Sequence, residues 1–191
     1  MEYKHKYPFG RIEVLYRELL NHKIDPSVID QIMDGGEKVD RNTSLAKKAE
    51  WIKQAMDKMD KLIEKDLRYK VREKCACCTG GLRLKAMKKI AASGASKEDR
   101  IKEINRIHMF GLSTEPEGTK IHVTFGESGS KCVCTPKGSK EPVSITWCYC
   151  CKGHVHKLLE VALEQKLTGK VICSSCSGGE NCQFEFEIIK S

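Results

Sequence analysis

The sequence predicts an α+β protein in which helices come first and strands follow. Up to residue 110, apolar residues recur every three or four positions, which is the period of an amphipathic helix. From residue 120 onward, Ile121, Val123 and Phe125 alternate with polar residues, which is the period of a strand. We therefore expect N-terminal helices packed on a mixed, mainly antiparallel sheet in a C-terminal β-β-β-α-β-β unit.

The N-terminal part carries the start and stop signals of three helices. The first covers residues 11–20, and the second begins at Asp25 and Pro26 and ends at Gly35. A polar residue within 42–44 caps the third and longest helix. Its apolar stripe either belongs to the core or forms the interface of a homodimer. The stripe consists of Leu45, Ile52, Met56, Met59 and Ile63.

Helix signals resume after a first group of cysteines. A helix near 82–92 stops at Gly94, and Ser96 and Asp99 form the capping box of the next helix, which ends at Gly111. The change of period beyond it indicates strands and one more helix. We expect strands near 120–125, 131–135, 143–149, 170–174 and 182–189, with a helix near 152–166.

The composition indicates a cytoplasmic protein with reduced thiols and no membrane partner. The chain starts without the apolar run of a signal peptide, and no stretch approaches the roughly 18 apolar residues of a membrane span. Eleven cysteines in 191 residues are too few for a disulfide scaffold, and an odd number cannot all pair internally. We divide the chain into an N-terminal helical region, residues 1–74, and a cysteine-rich α+β domain, residues 75–191, which together form one compact unit.

The net charge of +8 is concentrated in residues 65–106, which hold 13 Lys or Arg and 5 Asp or Glu. Such a segment either contacts an anion such as phosphate or forms the solvated face of a helix. Beyond residue 106 the sequence has no arginine and no zinc-finger spacing, so we do not expect specific nucleic-acid binding. The candidate contacts for nonspecific binding are Arg83, Lys85, Lys88 and Lys89.

The eleven cysteines occur in four groups, and all of them follow residue 74. Cysteines that merely fill a core as small apolar residues would be scattered. Clustering in a cytoplasmic chain favours metal ligands or catalytic thiols over disulfides. The groups are Cys75, Cys77 and Cys78; Cys132 and Cys134; Cys148, Cys150 and Cys151; and Cys173, Cys176 and Cys182.

The last group predicts a zinc site. Cys173 and Cys176 lie at the end of a predicted strand, a Gly-Gly turn follows, and Cys182 opens the next strand. A hairpin end brings such thiols together, and zinc prefers four thiolate or imidazole ligands in a tetrahedron. Cys150, at the end of the preceding predicted strand, is the candidate for the fourth ligand. Alternatively, these cysteines form a redox dithiol, which normally begins at a helix N-terminus, or inert core thiols.

The other cysteines and one histidine are candidates for a second site. Cysteines alternate on two predicted strands, so their thiols would meet at one place, where they either bind a second metal or line the wall of a ligand cavity. These are Cys132 and Cys134 on one strand and Cys148 and Cys150 on the other. His154 follows Cys150 and Cys151 by one helical turn, so on a helix it shares their face. The remaining candidates are Cys75, Cys77 and Cys78.

The segment from Trp147 to Ile189 reads WCYCCKGHVHKLLEVALEQKLTGKVICSSCSGGENCQFEFEII. It resembles the C-terminal part of the 4-vinyl-reductase type of small-molecule-binding domain. That family has a strand-end cysteine, a helix, a strand, an acidic residue or cysteine, a second cysteine, glycines and a final cysteine before an aromatic strand. Its aromatic-sensing members hold a structural zinc there. The resemblance implies zinc ligation by Cys150, Cys173, Cys176 and Cys182, with Cys173 standing where the sensing members have glutamate.

The same segment resembles bacterial L-2-amino-thiazoline-4-carboxylate hydrolase-like proteins, and the whole chain resembles uncharacterised bacterial cysteine-rich proteins with the same layout. These resemblances imply two functions. The first is a zinc-stabilised protein that binds a small organic molecule as a sensor or carrier, with a closed zinc site that stabilises the fold. The second is a cysteine-dependent hydrolase or thiol-transfer enzyme, in which the nucleophile is Cys77, Cys78 or Cys151, with His154 near Cys151.

Overall fold

The computed structural model describes residues 6–76, 79–125 and 134–189. Within these residues the chain forms seven α-helices and four strands. The helices are α1 (Gly10–Asn21), α2 (Pro26–Met33), α3 (Leu45–Leu62), α4 (Lys65–Lys74), α5 (Gly81–Ala91), α6 (Lys97–Arg106) and α7 (Tyr149–Leu163). The strands are β1 (Gly111–Glu117), β2 (Lys120–Phe125), β3 (Leu167–Cys173) and β4 (Cys182–Ile188).

The predicted α+β class is confirmed, because six helices precede a single sheet. The strand order is β1-β2-β4-β3, and each neighbouring pair is antiparallel. Val123 of β2 faces Phe184 of β4, which in turn faces Val171 of β3. The strand that comes last in the chain is therefore one of the two central strands. α7 lies between the two halves of the sheet in the sequence.

The predicted helix caps are confirmed by the hydrogen bonds at each helix start. Asp25 accepts from the backbone N–H of Ser27 at 2.8 Å, and Ser96 accepts from that of Asp99 at 3.2 Å. Ser44 is the residue within 42–44 that caps α3. Each side chain satisfies an N–H that the helix itself leaves without a partner.

The prediction of a strand at 143–149 is wrong. Ser144 caps a short 3-10 helix, Ile145–Cys148, and α7 follows it directly at Tyr149. Thr146, Trp147 and Cys148 are all buried, whereas a half-buried strand would bury alternate residues. Cys148 and Cys150 consequently lie at the start of α7 and not along a strand.

Two further strands differ between the sequence prediction and the structure. Of the strand predicted at 131–135, residues 131–133 lie outside the described residues, and Thr135 begins a 3-10 helix. β1, by contrast, was not predicted from the sequence, because Pro116 and several polar residues obscure it. It is an edge strand, where proline is tolerated. Asn105 of α6 bonds both the N–H and the C=O of Thr114 at 2.8 Å, as a neighbouring strand would.

Two hydrophobic clusters make up the interior, and α7 contributes to both. The first cluster contains Trp147 and most of the stripe of α3, so this part of the stripe belongs to the core, whereas Leu45 is 43% exposed. The buried residues of the stripe are Ile52, Met56, Met59 and Ile63. The second lies between α5, α6, α7 and the sheet. Cys151 and Val171 contact both clusters. Among the described residues, no helix is long and apolar enough to cross a membrane.

Candidate functional site

The described cysteines gather around the beginning of α7. The end of α4, the 3-10 helices Thr135–Gly138 and Ser175–Ser177, and the start of β4 meet it there. The described cysteines are not disulfide-bonded to one another. They are Cys75, Cys134, Cys148, Cys150, Cys151, Cys173, Cys176 and Cys182. Three candidates from the sequence, Cys77, Cys78 and Cys132, lie outside the described residues.

Cys148 and Cys176 form one pair of thiols in direct contact. Their sulfur atoms lie 3.1 Å apart, and the Ser174 hydroxyl lies 2.9 Å from Cys148 Sγ and 3.4 Å from Cys176 Sγ. All three residues are buried. The Val143 N–H also donates to the Cys176 carbonyl at 2.7 Å, which ties the hairpin turn to the segment before α7. Backbone and side-chain contacts together hold this pair in place.

A second pair lies next to the first. Cys134 Sγ and Cys151 Sγ are 3.6 Å apart, and Cys151 also interacts with the thiol of Cys150. Cys182 links the two pairs electrostatically, because it interacts with both Cys134 and Cys176. Its own thiol lies 3.7 Å from Ser175 Oγ. We refer to the set as the thiol cluster: Cys134, Cys148, Cys150, Cys151, Cys176 and Cys182.

Three thiols of the cluster, those of Cys148, Cys151 and Cys182, have a raised pKa that favours the neutral form. The hydrogen bond with Cys176, followed by burial, raises the pKa of Cys148 well above its ordinary value. The hydrogen bonds with Cys134 and Cys150 and then burial do the same for the pKa of Cys151. Burial raises the pKa of Cys182 as well. A neutral thiol is a poor nucleophile, and a nearby cation is the usual agent that converts such a thiol to thiolate.

The sulfur donors of the thiol cluster are of the kind that a soft metal prefers, but the distances between them match a zinc site only in part. Four thiolates at about 2.3 Å from zinc lie about 3.8 Å apart along each tetrahedral edge. The 3.6 Å separation of Cys134 and Cys151 matches this edge, whereas the 3.1 Å separation of Cys148 and Cys176 is shorter. In the part of the chain that the structure describes, no three Cys, His, Asp or Glu side chains converge to hold a metal ion. The cluster therefore offers pairs of sulfur donors.

The four ligands predicted from the sequence are distributed over this region. Cys150 lies in the first turn of α7, and Cys176 contacts Cys148, which the sequence analysis placed with the second site and not with the zinc ligands. Cys173, at the end of β3, instead lies 3.3 Å from the carbonyl oxygen of Asn181. Cys148 and Cys151 are three residues apart, and residues at this spacing lie on one face of a helix. If the segment had been predicted as a helix, the spacing would have placed both thiols together. The four-ligand set stays a prediction.

A cavity adjoins the cluster and contains a buried arginine. Arg72 of α4 is only 1% exposed, its Nη2 donates to the Trp147 carbonyl at 3.2 Å, and its guanidinium lies 4.1 Å from the centre of the Trp147 ring. The cavity measures about 90 Å³, and Cys75 and Cys150 also line it. Burial raises the pKa of Cys75 to about 11 despite the nearby guanidinium. Sequence reasoning missed Arg72 because it lies within the basic segment 65–106.

The candidate histidine of α7 has a different environment from the predicted one. His154 is buried, and its Nε2 lies 3.2 Å from Nη1 of Arg83. The rings of Phe110 and Phe125 approach it edge-on. Arg83, a candidate contact for nucleic acid, contacts His154 through one guanidinium nitrogen and is otherwise exposed.

Comparison with known proteins gives one result. Neither the curated proteins nor the solved structures contain a match, so the two resemblances stay predictions. The model of a family of unknown function, DUF6144, matches residues 11–190, which include all the helices and strands described above apart from Gly10, the first residue of α1. The chain therefore belongs to the DUF6144 family.

Proposed function

We propose that the chain is a zinc-stabilised protein that binds a small organic molecule, as a sensor or carrier. The observation that carries this proposal is the position of the thiol cluster beside a cavity with a buried arginine. Soft sulfur donors select zinc over hard cations, and a site that contains only thiolates leaves no open coordination position. Zinc would therefore stabilise the fold, and the cavity would provide the binding site.

The ligands that we propose differ in part from those of the sequence prediction. Cys148 and Cys176 provide a pair of sulfur donors 3.1 Å apart, and Cys182 interacts electrostatically with both. Cys134, which also interacts with Cys182, is the fourth residue of our proposed set. Cys173 is excluded from this set because its thiol lies against Asn181.

Metal analysis of matched variants tests the proposal. We expect about one zinc per chain in protein purified with a reductant and without a chelator or metal-affinity tag. Cys148→Ser should lose most of this zinc, because serine removes a soft donor, whereas Cys173→Ser should retain it. Zinc retained by Cys148→Ser and lost from Cys173→Ser would instead favour the set Cys150, Cys173, Cys176 and Cys182.

The result that would contradict zinc binding is a wild-type chain without metal whose eleven cysteines all titrate as thiols. Circular dichroism of each variant, with and without added zinc, controls for unfolding that is independent of the metal. A variant that loses zinc while it keeps its helix content shows that the missing donor is the cause.

The alternative function, a cysteine-dependent hydrolase or thiol-transfer enzyme, gains no support from the described thiols. A nucleophilic cysteine needs a lowered pKa and a base within reach. The pKa of Cys151 is raised, and His154 directs Nε2 towards Arg83. No observation in the described residues favours this alternative.

A further inference from the structure

We propose that the cavity between α1, α4 and the start of α7 binds a small molecule through a carboxylate, and that Arg72 recognises it. This inference rests on the proposed function and gives it a class of ligand. It depends on three observations: a buried arginine without an acidic partner, a second buried donor at the same cavity, and the size of the cavity.

The charge of Arg72 is the first observation. Its guanidinium contacts only neutral groups among the described residues, which are the carbonyl and ring of Trp147 and the thiol of Cys75. Its Nε–H is buried without a hydrogen-bond acceptor there. The last turn of α4 supplies at most about half a negative charge. A buried charge normally has an opposite charge and a full set of hydrogen bonds, and a carboxylate provides both to an arginine.

The second observation is an additional donor. The Nε1–H of Trp147 is buried and has no acceptor among the described residues. Trp147 and Arg72 both line the cavity, and Arg11 lines it from α1. The lining contains no Asp or Glu. Arg11 also donates to Thr135 Oγ1 at 3.0 Å, which fixes the side chain near the cavity. A cavity lined by the buried guanidinium of Arg72 and by no acidic side chain selects an anion.

The size and walls of the cavity define the ligand further. Its volume of about 90 Å³ lies between the ~30 Å³ of one water and the ~150 Å³ cavity that holds benzene, which is room for roughly three to five non-hydrogen atoms. Val14 and the Trp147 ring give it largely apolar walls. Apolar walls favour an organic carboxylate over inorganic phosphate or sulfate, whose oxygens would all need partners. Exposed Gly10 lines the cavity as well, so one end lies near solvent.

Acetate and propionate are the probes, with acetamide and propionamide as neutral analogues of the same shape. Isothermal titration of the full chain should show saturable binding of the carboxylates in the millimolar range, as expected for so few atoms. The amides should bind at least tenfold more weakly, because they lack the charge that pairs with Arg72. Phosphate and sulfate should also bind more weakly than the carboxylates.

Two variants identify the arginine. Arg72→Lys keeps the charge but loses the two-pronged geometry, so carboxylate affinity should fall at least tenfold. Arg68→Lys is the matched control, because Arg68 lies one turn earlier on α4 and pairs with Asp60 at 2.9 Å. It should bind propionate like the wild type. Trp147→Phe, which removes only the N–H donor, should weaken binding more modestly.

Zinc content, measured on the same samples, separates this inference from the proposed function. Zinc present without carboxylate binding would overturn the inference and leave the metal proposal intact. Carboxylate binding that depends on Arg72 in a chain without zinc would do the reverse. Loss of zinc from Arg72→Lys would show that Arg72 balances thiolate charge, which would overturn the inference. Tighter binding of phosphate than of propionate would overturn the assignment of a carboxylate.

Discussion

Gly153 shows how one missing side chain allows two helices to meet. It lies in α7, where its backbone packs against the backbone of Glu73 in α4. A Cβ at this position would overlap the Glu73 carbonyl oxygen and lie 2.9 Å from Glu73 Cγ. The backbone of α4 cannot move aside without disturbing the residues around Arg72. The close approach of α4 and α7 therefore depends on glycine.

We predict that Gly153→Ala destabilises the protein. Alanine should gain about 1 kcal/mol in helix propensity, but overpacking of a helix contact typically costs about 1–3 kcal/mol and here involves backbone atoms, so we expect a net loss of about 2 kcal/mol. Gly10→Ala is the matched control, because nothing lies within 4 Å of a Cβ added there. Urea denaturation measures both. A Gly153→Ala variant as stable as the wild type would contradict the packing described here.

Single residues also mark where sequence reasoning succeeded and where it failed. Asp25 and Ser96 were identified as caps, and the cap of α3 was narrowed to residues 42–44, because a cap depends on the two or three residues that follow it. Arg72 was not identified as a buried residue, since its burial depends on contacts with Trp147 that are 75 positions away in the sequence. Local signals are readable in a sequence, whereas pairings of this kind become visible only in the folded chain.

At the level of elements, a buried polar link joins α4 to α7. Lys152 is 4% exposed and donates to Glu73 Oε1 at 2.8 Å, and Nδ1 of His156 lies 2.7 Å from the same oxygen. Burial alone would raise the pKa of Glu73, but hydrogen bonds and charges from His156 and Lys152 outweigh burial and lower it. Glu73 is thus ionised in the folded chain, and both partners depend on its charge.

This link predicts a loss of stability in acid. Because the pKa of Glu73 is lower in the folded chain than its ordinary value of 4.5, its contribution is complete above that pH and disappears as the pH falls through the folded pKa. The wild type should therefore exceed Glu73→Gln in stability at neutral pH, and the difference should shrink below pH 4.5. Thermal unfolding of both proteins across this range measures it.

Glu103→Gln provides the control for acid sensitivity. Glu103 also has a lowered pKa, through its hydrogen bond with Arg106, but it lies at the surface. Exposed pairs contribute little, so this substitution should have a small effect at every pH. A difference between wild type and Glu73→Gln that stays constant from neutral pH into acid would contradict the assignment.

The elements themselves were predicted unevenly, for a physical reason. Amphipathic helices and the alternating strand β2 have a period that the sequence displays. The segment 143–149 was misread as a strand because Val143, Ile145 and Trp147 alternate with polar residues, although Ile145–Cys148 form a 3-10 helix with three consecutive buried residues. β1 was not predicted because Pro116 and several polar residues obscure its period, and the two hydrogen bonds that Asn105 makes with Thr114 depend on another element. The misreading of 143–149 as a strand also concealed the contact between Cys148 and Cys176.

At the level of the whole molecule, the two hydrophobic clusters share α7 and the thiol cluster. Cys151 contacts both clusters, and Cys182 belongs to the second while Cys148 and Cys176 belong to the first. A metal bound among these thiols would therefore join the two halves of the interior. Removal of that metal should weaken both halves together.

We predict a single unfolding transition whose midpoint falls when zinc is removed by a chelator in the presence of a reductant. Both tryptophans, Trp51 and Trp147, lie in the first cluster, so their fluorescence reports on that cluster, whereas circular dichroism reports on all helices. The two signals should change at the same temperature before and after chelation. The chelator already saturated with zinc serves as the control. Separate transitions, or an unchanged midpoint, would contradict the prediction.

The order of the strands also has a consequence for the growing chain. β4 is synthesised after β2 and β3, and it pairs with both of them. Until it leaves the ribosome, β2 keeps an open edge, and its apolar residues Ile121 and Val123 cannot be covered by Phe184 and Phe186. Pairing across such a long sequence separation is slow, and open edges promote aggregation. Nascent chains of this protein are therefore expected to depend on chaperones until the final hairpin closes.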